Sequence, residues 1–227
     1  MSIFRLIPQK QTLKHLQGIR LNEISNLIMY FPKGSKILEI GSGTGWQANY
    51  IESMGFDVSA VDLKDGNYTE NSVRKIDFYD GVKLPFSNDS FDIVFSSNVL
   101  EHVKEVMNFQ NEIKRVLKKN GFCLHALPSS SWRFWTTLTA YIRKDPPKVH
   151  GEIAKNHITE IYYFSRFFWN NFFTKCSWRI VFCKSNNLFY TGHSILDRKL
   201  SIKFRRYLSY LFGSACNIYK LEKVSIH

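Results

Sequence analysis

The 227-residue chain lacks the features that mark several classes of protein. No stretch approaches the about 18 consecutive apolar residues that a membrane-spanning helix needs. The four cysteines form no Cys-x-x-Cys pair, which argues against a disulfide framework and against a zinc site. The opening residues contain no apolar stretch of signal-peptide length, so we expect a reduced, cytoplasmic protein.

Acidic residues are scarce. The chain has 19 Asp and Glu against 31 Lys and Arg, a formal net charge of +12. The imbalance is uneven, because segment 37–126 is slightly acidic whereas both flanks are basic. This asymmetry indicates an anionic partner, which a phosphate, a nucleic acid or a membrane headgroup would satisfy.

Short apolar strands alternate with helical patterns along the first two thirds of the chain. This alternation predicts an α/β fold with a mainly parallel sheet. We predict strands at 37–40, 58–61, 91–95 and 122–127, and helices at 9–31, 46–54 and 99–118. Asn98 is expected to cap the last of these helices. In the final third, the residue pattern predicts a helix over 158–174, strands at 178–183 and 216–221, and a basic helix over about 197–211.

Glycines are concentrated in Glu39-Ile40-Gly41-Ser42-Gly43-Thr44-Gly45, where the first strand turns into a helix. They permit a tight turn and a close approach of the backbone to a ligand. Asp62 ends the next strand, where a carboxylate can accept hydrogen bonds from two ribose hydroxyls. The spacing of the glycines differs from the Gly-x-Gly-x-x-Gly fingerprint of dinucleotide-binding loops. No Gly-Lys-Ser/Thr follows, which excludes a Walker phosphate loop. The pattern therefore favours a nucleoside that carries a polar tail.

Together with later motifs, this loop resembles the class I S-adenosylmethionine-dependent methyltransferases, in particular the small-molecule branch called type 11. The later motifs are Asp80…Leu84-Pro85-Phe86, Ser90-Phe91-Asp92-Ile93-Val94, Val99-Leu100-Glu101-His102-Val103 and Arg115-Val116-Leu117-Lys118-Lys119-Asn120-Gly121. The resemblance covers roughly residues 35–130. It implies a three-layer, Rossmann-like sheet of seven strands, mainly parallel, with an antiparallel last strand.

The resemblance also implies a division of the chain and a set of cofactor contacts. One methyltransferase domain would comprise a helical cap (1–36), a cofactor-binding core (37–127) and an acceptor-side region (128–227) whose aromatic and basic helices complete the sheet. S-adenosylmethionine would be held by three groups of residues: Glu39, Gly41, Ser42 and Gly43 at the methionine part; Asp62 at the ribose, with Leu63 against the adenine; Asp80, Gly81 and Val82 around the adenine amino group. Asn98 would lie near the reacting sulfonium, and Asp77 is the alternative to Asp80.

Transfer of a methyl group to a hydroxyl benefits from a nearby general base. His102, His150 and Glu152 are the candidates, and His157 and His193 have weaker claims. A structural role is the alternative for His102, and a plain polar loop is the alternative for His150 and Glu152. No cluster along the sequence has metal-ligand spacing, so we expect no metal site.

The absence of one motif limits the classes of acceptor that we expect. Family members that methylate base amines resemble one another in an Asn/Asp-Pro-Pro-aromatic motif, whereas this chain has Ser96-Ser97-Asn98-Val99-Leu100. We therefore expect a small-molecule or lipid- or glycan-linked acceptor, methylated at oxygen, with nucleic acid disfavoured. The alternatives are a non-catalytic cofactor-binding module that serves a partner, and an RNA methyltransferase. The basic amphipathic segment 198–208 favours either a solvated helix face or a peripheral contact with an anionic membrane at its inner surface.

Overall fold

A seven-stranded sheet forms the centre of the protein. The structure is a computed structural model that describes residues 9–64, 72–192 and 200–224. The strands are β1 (Lys36–Ile40), β2 (Asp57–Leu63), β3 (Asp77–Tyr79), β4 (Phe91–Ser97), β5 (Leu117–Pro128), β6 (Trp178–Ser185) and β7 (Cys216–Lys223). Their order is β3-β2-β1-β4-β5-β7-β6, with β1 to β5 parallel and β7 antiparallel to both of its neighbours. The expected α/β fold with an antiparallel last strand is confirmed.

Helices cover both faces of this sheet. They are α1 (Gln9–Leu27), α2 (Trp46–Ser53), α3 (Val106–Val116), α4 (Ser130–Ile142), α5 (Thr159–Tyr163), α6 (Arg166–Lys175) and α7 (Ile202–Phe212), with short 3-10 turns at Ile28–Tyr30 and Leu100–His102. Three of the helices begin at a serine whose hydroxyl accepts a hydrogen bond from a first-turn amide: Ser129, Ser165 and Ser201. None of the described helices has both the length and the apolar character to cross a bilayer.

Two apolar cores lie on opposite faces of the sheet, and a third lies at its edge. One core includes Val106, Phe109 and Ile113, which recur at helical spacing on α3. The third core joins Ile19 of α1 to Trp132 of α4 and to the chain that follows β6. This third core therefore joins the helical cap to the acceptor-side region.

The structure corrects several element predictions. The helix expected over 99–118 begins only at Val106, because a 3-10 turn and an extended Val103 precede it. Asn98 is therefore not its cap, and its own backbone is left-handed with φ 56°. Residues 158–174 form two helices, since Ser165 is extended and starts a new one. Strand β3 and helix α4 were not predicted. The basic helix begins at Ile202, and residues 193–199 lie outside the described residues.

The strand order places the candidate site. Strand β1 has β2 on one side and β4 on the other, so the connections that follow these strands diverge at this point. In open α/β sheets, ligands bind at the carboxyl ends of strands where the order reverses. Gly41, Asp62 and Asn98 lie at or near the carboxyl ends of β1, β2 and β4. The fold therefore gathers the predicted site residues at one edge.

Candidate active site

The loop between β1 and α2 depends on glycine. Gly41, Gly43 and Gly45 have φ values of 70°, 56° and 78°, a region that other residues rarely adopt. The amides of Gly41 and Ser42 donate to the carbonyl oxygen of Val61 at 2.9 and 3.2 Å, which ties the loop to β2. A Cβ atom added to Gly41 would lie 2.4 Å from Cγ2 of Val99. The loop can therefore take this shape only with glycine at position 41.

Asp62 lies directly against this loop. Its Oδ2 accepts a hydrogen bond from the Gly43 amide at 2.5 Å, and its Oδ1 accepts one from the Leu63 amide at 2.7 Å. A carboxylate can accept about four hydrogen bonds. The two that Asp62 accepts from backbone amides therefore leave capacity for a ligand. The structure thus brings together the glycine loop and the strand-end carboxylate, as the sequence predicted. Ribose binding by Asp62 stays a prediction.

Two buried polar atoms beside the loop have no hydrogen-bond partner among the described residues: Oε2 of Glu39 and Oγ of Ser42. The other oxygen of Glu39 accepts a hydrogen bond from Nε2 of Gln47 at 2.9 Å. Burial raises the pKa of Glu39 to about 8, against the opposing effects of Gln47 and Arg74. Unsatisfied buried polar atoms are rare in folded proteins and suit a site completed by a ligand. The residues present therefore fit a polar group of a ligand at this position.

The expected adenine side is an exposed apolar surface next to an acidic turn. Leu63 and Val82 are 45% and 72% exposed, and they border Gly81 and Asp80. Oδ1 of Asp80 accepts hydrogen bonds from the amides of Val82 and Lys83 at 2.9 and 2.8 Å, which hold the pKa of Asp80 below its usual range. Asp80 therefore stabilises its own turn, and the adenine role of Asp80 remains a prediction.

An open cleft of about 1070 Å³ continues from this surface. It is lined by Leu63, Tyr79 and Asp80 and, further along, by Leu84, Pro85 and Phe86. Tyr79 follows the alternative residue Asp77 in β3, and its ring stacks on Phe109 with centroids 5.8 Å apart. The family motif around Asp80 thus lines a cleft next to the glycine loop.

Asn98, at the end of β4, is contacted by a residue that the sequence did not predict. With its amide oriented to satisfy its hydrogen bonds, Oδ1 of Asn98 accepts from Nη1 and Nη2 of Arg20 at 2.7 and 3.0 Å. Nη1 of Arg20 also donates to Glu23 at 2.7 Å and to the hydroxyl of Tyr190 at 3.1 Å. Arg20 and Glu23 lie in α1, so the helical cap contributes side chains beside the expected methyl-transfer position. No local motif marked them.

The histidine candidates His102 and His150 meet although 48 positions separate them in the sequence. Their ring centroids are 4.7 Å apart, and Trp132 lies 4.7 Å from His150 on another side. Desolvation by the surrounding protein lowers the pKa of His102 and brings that of His150 to about 4, although both residues keep exposed surface, so both imidazoles are neutral near pH 7. Neutral imidazoles are able to accept a proton. The structure thus pairs two of the three predicted bases without assigning either a role.

Glu101 is a buried carboxyl group beside this histidine pair. In the part of the chain that the structure describes, neither of its side-chain oxygens has a hydrogen-bond partner, and burial raises its pKa to about 8. Donor atoms of Glu101, His102 and His150 lie within 4.8 Å of one another. Spacing along the sequence could not reveal this juxtaposition, and the expected absence of a metal site remains a prediction.

A buried ion pair fixes the loop that carries His150. Oε1 of Glu160 accepts hydrogen bonds from the amides of His150 and Gly151, both at 2.7 Å, and its Oε2 lies 2.9 Å from Nε of Arg133. The third candidate base, Glu152, is exposed, and its amide donates to the carbonyl of Glu101 at 2.8 Å. No local pattern indicated the roles of Arg133 and Glu160, which depend on long-range contacts.

Of the two weaker candidates, His157 lies within the described residues. The Nε2 atom of His157 is 3.2 Å from the hydroxyl of Tyr141 at the end of α4. His193 lies outside the described residues.

Comparisons with known proteins agree with this geometry. Residues 38–125 match a family model described as a methyltransferase domain. A S-adenosylmethionine-dependent methyltransferase from Aquifex aeolicus has the same fold, with a TM-score of 0.59 and 16% identity over 90% of this chain and 93% of that one. Residues 38–125 therefore form a methyltransferase domain, and the protein has the class I, Rossmann-like methyltransferase fold that the motifs resembled. The family and the fold indicate S-adenosylmethionine as the cofactor.

Among curated proteins, the chain is similar to enzymes with different acceptors. It is 30% identical over 112 residues to a sarcosine/dimethylglycine N-methyltransferase from Aphanothece halophytica, covering 44% of this chain and 40% of the relative. It is 29% identical over 113 residues to a ubiquinone biosynthesis O-methyltransferase from Rickettsia typhi, covering 47% and 43%. The chain thus spans less than half the length of these two relatives, and the aligned part does not fix the acceptor.

Proposed function

We propose that the protein transfers a methyl group from S-adenosylmethionine to a hydroxyl oxygen of a small-molecule acceptor. The observation that carries this proposal is the contact between the Asp62 carboxylate and the Gly43 amide, beside the unpartnered polar atoms of Glu39 and Ser42. A carboxylate held at a glycine loop suits a nucleoside with a charged tail.

The cofactor, when bound, supplies a methyl group on a positively charged sulfur. In this proposal Oε2 of Glu39 and Oγ of Ser42, which have no hydrogen-bond partner among the described residues, bind its methionine part. The free acceptor positions of Asp62 hold the ribose, and Leu63 and Val82 cover the adenine. Asp80 offers its second carboxylate oxygen to the adenine amino group. Asn98, fixed by Arg20, borders the reacting end.

The acceptor occupies the side formed by α1, α4 and the His150 loop. A hydroxyl must lose its proton as it gains a methyl group, and a positioned base assists this step. His102 and His150 are neutral near pH 7 and lie in contact, so either ring has a nitrogen that can accept that proton. The O-methyltransferase among the relatives supports oxygen as the acceptor atom.

A turnover screen tests the proposal. The full chain is incubated with methyl-deuterated S-adenosylmethionine and fractionated cell extract, including lipid and RNA fractions, and products are identified by mass. We expect a labelled hydroxyl compound in a small-molecule or lipid fraction. Turnover should fall at least about tenfold in His150→Asn and stay unchanged in His157→Asn. Binding of the methyl donor without any labelled product would contradict the proposal and favour a non-catalytic module, and labelled RNA would favour the RNA alternative.

A further inference from the structure

Helix α7 carries its apolar side chains outward. Phe204, Tyr207, Tyr210 and Leu211 are 47%, 59%, 82% and 61% exposed, whereas Arg205 is fully buried. Nη1 of Arg205 donates to the carbonyl of Phe189 at 3.1 Å, in the chain segment beneath the helix. A surface helix ordinarily packs its apolar stripe against the core and exposes its charges. Phe204, Tyr207, Tyr210 and Leu211, which we name the α7 face, therefore lack a partner within the described residues.

Helix α4 extends this surface. Phe134, Leu138, Tyr141 and Ile142 are exposed and recur at helical spacing along one side of α4. Trp135 of α4 connects this helix to α7.

The connection is a close contact. Nε1 of Trp135 donates to the carbonyl of Phe212 at 2.8 Å, and the two rings are 5.0 Å apart. The ring of Phe134 lies 5.2 Å from that of Trp135. Exposed apolar patches of this extent on a monomer ordinarily mark an interaction site. On the opposite side of α4, Trp132 contacts His150, so the exposed surface lies on the same helix as the expected acceptor site.

The charges on the two helices that carry this surface are of one sign. Neither α4 nor α7 contains an Asp or Glu, whereas Lys203 and Arg206 lie exposed on α7; Lys144 and Asp145, which follow α4, offset each other. The surface therefore complements an anionic partner. A second copy of the chain would bring the same cations together across a twofold axis, which is unfavourable.

We infer that the α7 face and the exposed side of α4 dock on a bilayer that contains anionic phospholipid. Aromatic and leucine side chains enter the headgroup boundary, and flanking lysine and arginine residues contact the lipid phosphates. Tyrosine and tryptophan favour this depth because each has an apolar ring with a polar atom. This docking goes beyond the proposed methyl transfer and does not depend on it, although it would bring the acceptor side close to lipid-linked substrates.

Vesicle co-sedimentation tests the inference. The full chain is mixed with vesicles of phosphatidylcholine alone and with vesicles of equal parts phosphatidylcholine and phosphatidylglycerol. We expect sedimentation with the anionic vesicles only, weakening as salt is raised. The double variant Tyr207→Ser/Leu211→Ser and the double variant Lys203→Gln/Arg206→Gln should each bind about tenfold more weakly.

Matched controls remove similar side chains elsewhere. Met54→Ser/Met107→Ser removes two exposed apolar side chains, one directly after α2 and one in α3, and Lys104→Gln/Lys119→Gln removes two exposed lysines. Both controls should bind vesicles as the unchanged chain does, and circular dichroism should show all variants folded. The inference is overturned if the chain binds neither vesicle, binds both equally, or binds undiminished in the α7 variants. A dimer in light scattering that the Tyr207→Ser/Leu211→Ser change dissociates, with vesicle binding unchanged, would instead make this surface a self-interface.

Discussion

At the scale of single residues, Gly41 lets the loop after β1 close against the chain that follows β4. Its φ of 70° is strained for any residue with a Cβ, and that Cβ would meet Val99 at 2.4 Å. Gly34 has a similar φ of 77° but open space around it. The two positions therefore separate backbone strain from steric overlap.

We predict that Gly41→Ala lowers the free energy of unfolding by about 3 kcal/mol and that Gly34→Ala lowers it by about 1 kcal/mol. The difference arises because only the first substitution adds a side-chain clash to the strained φ. Urea denaturation of both variants measures it. Equal losses at the two positions would show that Val99 moves aside freely.

Glu39 gives a prediction for the pH dependence of stability. Burial raises its pKa from 4.5 to about 8, so the native state holds a proton that the unfolded state releases between these values. Stability contributed by this group is therefore fully present below pH 4.5 and is lost as the pH rises to about 8. Glu39→Gln cannot titrate, so its free energy of unfolding should fall less between pH 5 and about pH 8 than that of the unchanged chain.

Thermal unfolding followed across this pH range measures the effect, with Glu105→Gln, an exposed position before α3, as the control. The control should follow the unchanged chain at every pH. Parallel curves for Glu39→Gln and the unchanged chain would mean that Glu39 titrates normally in the folded protein.

The sequence predicted the positions of residues where the signal was local, and the binding roles of those residues stay predictions. The glycines of the loop and the carboxylate at Asp62 each follow directly from a strand end, and the parallel sheet brings such ends together. The sequence did not predict the contacts of Arg20 and Glu160 or the pairing of His102 with His150. Their contacts join segments far apart in the sequence, and a lone buried charge leaves no periodic pattern to detect.

At the scale of elements, the His150 loop depends on one buried ion pair. Arg133 of α4 and Glu160 of α5 are both almost fully buried, and Glu160 also accepts two amide hydrogen bonds from the loop. Removing one member of such a pair leaves a buried charge without its partner, which is more costly than losing a surface pair.

We predict that Glu160→Ala lowers the free energy of unfolding by about 3–5 kcal/mol. The matched control is Arg179→Ala, which breaks the surface pair with Glu222 on neighbouring strands and should cost about 1 kcal/mol or less. Urea denaturation measures both, and hydrogen exchange at the amides of His150 and Gly151 should accelerate only in Glu160→Ala. Similar costs for the two variants would contradict the structural role of the buried pair.

Element prediction was reliable where an apolar pattern was long and regular. Strands β1, β2 and β4 are buried apolar runs, and their boundaries were predicted to within a few residues. Strand β3 escaped prediction because it has only three residues and lies among polar ones. The start of α3 was misplaced because the apolar spacing continues through Leu100 and Val103, although the backbone there forms a 3-10 turn.

At the scale of the whole molecule, the basic and exposed aromatic residues lie in a different part of the chain from the glycine loop. The acidic middle segment contains the glycine loop and Asp62. The basic final third carries the exposed surface of α4 and α7. The composition predicted an anionic partner but not its position. Which faces of α4 and α7 point outward depends on the burial of Arg205 and on the contact between Trp135 and Phe212.

The central claim is that the loop from Gly41 to Gly45 and the neighbouring Asp62 bind S-adenosylmethionine. Calorimetric titration of the full chain with this compound, beside NAD and ATP, tests it most directly. We predict one site for S-adenosylmethionine, no binding of the two nucleotides, and about 100-fold weaker binding in Asp62→Ala. Asp57→Ala, at the exposed start of the same strand, should bind normally. Equal affinity in Asp62→Ala and Asp57→Ala, or tighter binding of NAD, would contradict the claim.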